Sequence, residues 1–111
     1  MQMESESINN ILVITPREKR IDASSATAFK GQLVDWINSG NHRLLLDLGH
    51  VDFIDSSGLG ALVSALKSLG NSGDLLLCNV SKPVMSLFNL TRMDRIFQIY
   101  PNREEAISLQ G

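Results

Sequence analysis

FIDSSGLG, Phe53 to Gly60, lies near the middle of the chain between two runs of different character. Before it, Arg43 to Leu48 reads RLLLDL, a short apolar run between turn-forming residues, which is the pattern of a buried strand. After it, Ala61 to Gly70 reads ALVSALKSLG. Leu59, Leu62, Val63, Leu66 and Leu69 recur at helical spacing and predict one apolar helix face, which Gly70 ends. The stretch is therefore a hand-over from strand to helix, with the helix expected to start near Ser57.

The same hand-over repeats on both sides. MESES predicts a first edge strand, with Asn9-Asn10 as its turn into ILVIT, and Pro16 with the charges of REKR limits that second strand or marks a bulge near its end. Phe29, Leu33, Trp36 and Ile37 predict a helix from Ser24 or Ser25 to Ser39, stopped by Gly40. DLLLCNV predicts the next strand after the turn GNSG. Ser81 reads as an N-cap with Pro83 in the first turn, and Val84, Leu87 and Phe88 as the buried face of that helix. IFQIY predicts a last short strand, followed by a short helix with Asn102 as cap and acids in its first turn. Strands alternating with helices need crossover connections. The fold class expected is α/β: a mixed, mostly parallel central sheet of about five strands with about four helices. Sites in such folds gather where strand C-ends meet helix N-ends, which is where Asp55, Ser56 and Ser57 lie.

Composition narrows what such a site could serve. The 111 residues fit one domain over 1–111 with a modest core. Net charge is -2, and the absence of a basic face gives no footprint for nucleic acid. The N-terminal MQMESESINN has neither the basic start nor the apolar stretch of a secretory signal, and no apolar run is long enough to span a bilayer. The single cysteine, Cys78, has no partner for a disulfide or a zinc site and reads as a small buried hydrophobe. A cytoplasmic protein is expected, without membrane insertion.

The serine pair admits several chemistries. A serine before a helix ordinarily caps it by accepting from a backbone N–H. A cap alone does not account for two serines, nor for Gly58 and Gly60 in the opening turn, where each glycine weakens the helix by about 1 kcal/mol against alanine. One gain from those glycines would be room for another molecule's backbone. The hydrolase pattern Gly-x-Ser-x-Gly is missing, because Ile54 or Asp55 stands at the first glycine; of the two histidines, His42 and His50, the latter reads as a loop residue. No lysine follows Gly60 until Lys67, so a phosphate-cradling loop is missing too. Asp47, Asp52 and Asp55 have no metal-ligand spacing and read as turn and cap residues. A serine that accepts a phosphoryl group fits better. Free N–H groups and the helix dipole favour an anion at a helix start, while the surface gains roughly -1.5 to -2 charges.

Leu44 to Tyr100, from LLLDLGHVDFIDSSGLG to TRMDRIFQIY, resembles the core of the STAS domain, and especially the stand-alone bacterial anti-sigma-factor antagonists. The likeness runs from about Ile11 onward and rests most on DSSGLG after an apolar strand ending in Asp-Leu. It implies Ser56 as phosphoacceptor, Asp55 as the acid beside it and Ser57 as the second hydroxyl position. It also aligns Lys19-Arg20-Ile21-Asp22 with the family's Gly-x-x-Asp element, placing Asp22 near the acceptor. Lys19 stands where the family has glycine, which bears on the local turn and on the fit of a partner.

The resemblance further implies partner switching. The unphosphorylated antagonist would bind an anti-sigma factor that is also a histidine-kinase-like serine kinase and so free its client. Phosphorylation with ATP and magnesium would end that binding, and a metal-dependent Ser/Thr phosphatase would reset it. The protein would then be a regulator of transcription with no catalytic residue, metal or cofactor of its own. The expected docking surface comprises Asp22, Asp55, Ser57, Gly58, Leu59 and Gly60, with Leu59 suited equally to the core. Two other readings stay open: a STAS scaffold or ligand-sensing subunit of a larger complex that is not phosphorylated, and a small serine hydrolase.

Overall fold

The structure is a computed structural model that describes residues 1–109; the last two residues of the domain expected over 1–111 lie outside the described residues. Strand β1 (Met3–Ile8) turns back on β2 (Ile11–Pro16) through Asn9 and Asn10, both left-handed at φ 51° and 65°. That is the two-residue hairpin turn whose twist matches its strands, and asparagine tolerates it. The remaining main-sheet strands are β4 (Arg43–Asp47), β6 (Asp74–Cys78) and β7 (Gln98–Tyr100). The sheet order is β1-β2-β4-β6-β7, antiparallel only at the first pair. It is the mixed, mostly parallel sheet that the alternation predicts.

Leucine-rich strands suit this position because both faces of the sheet are covered. Leu44, Leu46, Leu75 and Leu77 point to one side. There they meet α1 (Ala26–Asn38), α2 (Ser56–Leu69) and α3 (Lys82–Leu90) through Phe29, Leu33, Leu62 and Phe88. Leu45, Leu76 and Cys78 point to the other side, under α4 (Arg103–Ser108) and its Ala106. The strand order grows outward in one direction, so crossovers of one hand stack α1 to α3 on one face. Among the described residues no helix is long and apolar enough to cross a membrane.

Four local expectations change. Helix α2 begins at Ser56, one residue earlier than expected, because Asp55 and not a serine is its N-cap. Its buried stripe is Gly58, Leu59, Ala61, Leu62, Ala65 and Leu69; Val63 and Leu66 are half-buried, since the stripe turns toward small residues beside α1. Ser81 stands at the α3 N-cap, yet its hydroxyl donates to the Val51 carbonyl at 3.1 Å and so pins the loop after β4. Two further strands, β3 (Arg20–Ile21) and β5 (Phe53–Ile54), form a parallel ladder of their own. Asn102 does cap α4, accepting from the Glu105 N–H at 2.9 Å.

Candidate functional site

The start of α2 is built by Asp55. One carboxylate oxygen accepts from the Gly58 N–H at 3.0 Å, satisfying an orphan donor of the first turn. The other accepts from the Ala23 N–H at 3.2 Å, in the loop that leads into α1. Asp55 N–H also donates to the Ile21 carbonyl, and Lys19 carbonyl accepts from the N–H groups of Asp52 and Phe53. The link from β2 to α1 and the segment before α2 are therefore tied side by side by backbone bonds. Lys19 serves this tie with its carbonyl and is not among the residues of positive φ, so the turn does not require a glycine at this position.

Ser56 and Ser57 occupy the first turn with exposed side chains. Neither is the cap, and no hydrogen bond to another described residue occupies either hydroxyl. Helix geometry leaves the backbone N–H groups at these two positions without intrahelical partners. Asp22 lies in the neighbouring loop. Its carboxylate accepts from the Ser24 hydroxyl at 2.6 Å and the Ser24 N–H at 3.0 Å, which together hold it below the usual carboxylate range. Its carbonyl receives the N–H groups of Ser25 and Ala26, so it fixes the entry to α1.

The two glycines separate cleanly. Gly58 is buried, and a Cβ there would stand 2.6 Å from the Ile21 carbonyl oxygen and 2.7 Å from Ile54 Cγ2. A close backbone approach does occur here, but it is the chain's own β3 that approaches. Leu59 is 7% exposed and belongs to the core. Gly60 is exposed with nothing within 4 Å of a Cβ, so it keeps one side of the helix bare. That side opens on a shallow groove whose lining includes Ala26, Thr27 and Lys30 of α1 and Ser57, Gly60 and Ser64 of α2.

One pair at the site is invisible to motif reading. The Arg20 guanidinium lies 4.2 Å from the centroid of the Phe53 ring, and Phe53 is 41% exposed. The two residues are register partners in the β3–β5 ladder. Strand alternation would have hinted at it, since Ile54 goes in and Phe53 must go out.

Other candidates are drawn elsewhere. His50 Nε2 lies 2.8 Å from Arg17 Nη1, and Arg17 pairs bidentately with Glu4, so the ring belongs to a surface network. Asp47 is an ion-pair residue on the opposite face of the sheet and not merely a turn residue. It meets Arg103 Nε at 2.7 Å and accepts from Gly49 N–H and Asn79. Among the described residues no group of three His, Cys, Asp or Glu side chains could hold a metal ion.

Comparison with known proteins agrees with this architecture. The family model of the STAS domain matches residues 2–106. A protein of Thermotoga maritima named as a candidate anti-sigma factor antagonist is 32% identical over 102 residues, covering 90% of this chain and 89% of its own. The anti-sigma F factor antagonist of Paenibacillus polymyxa is 26% identical over 110 residues, covering 97% and 93%. A crystal structure of a candidate anti-sigma factor antagonist from Thermotoga maritima superposes with a TM-score of 0.90 at 30% identity, over 96% of this chain and 92% of that one. With a match that spans nearly every described residue and includes the capped DSSGLG helix start, the chain belongs to the STAS domain family.

Proposed function

We propose that this protein is an anti-sigma factor antagonist of a partner-switching pathway, governed by reversible phosphorylation of Ser56. The observation that carries the reading is the exposed serine pair in the first turn of α2, free of capping duty because Asp55 does that work. A hydroxyl held outward on a rigid helix start is accessible to another protein's active site. A phosphate placed there meets unpaired N–H groups and the positive end of the helix dipole.

The chain is then substrate and binding module, and it catalyses nothing. Its unphosphorylated form binds an anti-sigma factor that carries histidine-kinase-like serine kinase activity, in the cytoplasm where sigma factors act. That partner transfers the γ-phosphoryl group of ATP to the Ser56 oxygen, releasing ADP, and a metal-dependent Ser/Thr phosphatase hydrolyses the ester. Ser57 and Gly60 are exposed on the docking surface and half-buried Asp22 borders it, whereas Asp55, Gly58 and Leu59 support it from beneath. Relatives named anti-sigma F factor antagonist and anti-sigma-B factor antagonist support the antagonist role.

The test is direct. Incubation with the cognate kinase and ATP should add one phosphoryl group, and peptide mapping should place it on Ser56. Ser57→Ala should retain the reaction and lose no cap bond. Calorimetric titration of the anti-sigma partner should show at least tenfold weaker binding by the phosphorylated form, about 1.4 kcal/mol. Modification chiefly on Ser57 would overturn the residue assignment, and equal affinities would overturn the switch.

A further inference from the structure

We infer that Arg20, laid over Phe53, is a specificity-determining contact for the partner, and that the partner presents an Asp or Glu carboxylate to it. This rests on the antagonist reading above. Arg20 has a 62% exposed side chain, yet it is held from two directions. Phe53 lies under the guanidinium at 4.2 Å, and Asp22 Oδ2 stands 3.5 Å from Nε. Among the described residues Nη1 and Nη2 have no partner. A guanidinium laid on a ring with both terminal nitrogens free has the geometry of a carboxylate receptor. Part of the entropy cost of ordering the side chain is already met in the free protein.

Position points the same way. Arg20 and Phe53 pair in the ladder that is bonded to the α2 start through Asp55, so they stand in fixed relation to Ser56. Phe53 supplies an exposed aromatic surface of the kind that anchors interfaces, and Arg and aromatic residues are the types enriched there. The surrounding link Arg17–Arg20 reads REKR in a chain of net charge -2. Arg17 is consumed by Glu4, and Lys19 and Arg20 stand among the carboxylates of Glu18, Asp22 and Asp52, so the surface around the pair is of mixed charge. The Asp22 contact reaches only Nε. The complement is therefore local: one carboxylate of the partner aimed at Nη1 and Nη2, and not a broadly acidic rim.

Calorimetric titration of the unmodified full chain with its anti-sigma partner, at low and high salt, tests this. Arg20→Glu should weaken binding by at least about tenfold. Arg20→Lys, which keeps the charge and loses the fork, should fall between it and the natural protein. Arg20→Ala should flatten the salt dependence, a readout that a merely structural role would not move. A compensating Asp/Glu→Lys change on the partner should restore affinity to Arg20→Glu. Circular dichroism on each variant checks the fold, and Arg20→Lys carries the test should Arg20→Glu lose it. Natural affinity and salt dependence in both Arg20→Glu and Arg20→Ala, with the natural protein binding well, would overturn the contact alone. No binding by the natural protein would overturn the antagonist reading together with it.

Discussion

A methyl group added at position 58 would collide with the Ile21 carbonyl and the Ile54 side chain, both held by backbone bonds of the β3–β5 ladder. The Ile21 carbonyl cannot move without breaking its bond from the Asp55 N–H. Gly58→Ala is therefore expected to destabilise by about 1–3 kcal/mol, as overpacking does. Gly60→Ala, with open space around it, should gain up to about 1 kcal/mol from helix propensity. Urea unfolding of the two variants checks both signs, and a Gly58→Ala protein as stable as the natural one would show that β3 is not packed on the helix start. In the sequence the two glycines look alike. Only the register of α2 against β3 separates them, and no local pattern reports that register. Cys78 makes a second residue-scale prediction. Burial first, and then the Asp47 charge, push its thiol up to about 12. The thiolate is the reactive form, so iodoacetamide at pH 8 should leave Cys78 unmodified in the native protein and label it in denaturant. Rapid native labelling would show that α4 leaves the sheet readily.

Helix α4 has six residues, too few to persist without tertiary support. Its first residue, Arg103, supplies much of that support. Its guanidinium donates to Asp47 on β4 at 2.7 Å, to Thr15 on β2 at 2.7 Å and to Glu6 on β1 at 2.9 Å. Asp47 is 7% exposed, so removing its cation strands a charge. Arg103→Ala should cost up to about 3 kcal/mol, the low end for a broken buried pair because Arg103 remains 31% exposed. Much of that loss should vanish in an Asp47→Asn background, which a double-mutant cycle by urea unfolding would reveal. The pair also sets a pH dependence. Burial raises the Asp47 carboxyl, but Arg103, the Gly49 N–H and Asn79 outweigh it and hold the group below its ordinary value. A carboxyl depressed in the folded state gives stability that is present above its unfolded pKa, about 3.9, and lost as pH falls through the folded value. Asp47→Asn should remove that acid-side loss. Sequence periodicity made α1 legible because Phe29, Leu33 and Ile37 all face the core. It made β4 and β6 legible as unbroken apolar runs. It could not establish β3 or β5, since in two residues an inward Ile beside an outward Arg or Phe is a hint and not a period. Nor could it show the Asp47–Arg103 pair, whose partners are 56 positions apart.

At the scale of the whole molecule, the sheet order never reverses, so no crevice opens between halves winding in opposite directions. What the fold offers at the strand C-ends is an exposed helix start, with Ser56 outward and Gly58 and Leu59 inward. Such a surface suits recognition by another protein. It also separates the proposed phosphorylation site from the core. The residues that hold α2 in place are Asp55 and the buried stripe, and a charge added at Ser56 would touch neither the Asp55–Gly58 cap bond nor that stripe. The local field favours that charge, because the helix N-terminus is positive and the nearest carboxylate, Asp55, already has two N–H partners. Ser56→Asp should therefore unfold with the same cooperativity as the natural protein and should be more stable than Ser56→Lys by about 0.3–1 kcal/mol. The gap should narrow as salt rises, since the site is exposed. Thermal unfolding of both variants at low and high ionic strength checks this. If Ser56→Asp loses helix or unfolds well before Ser56→Lys, then a negative charge at this position damages the fold, and weakened partner binding after phosphorylation would be its consequence and not a surface effect.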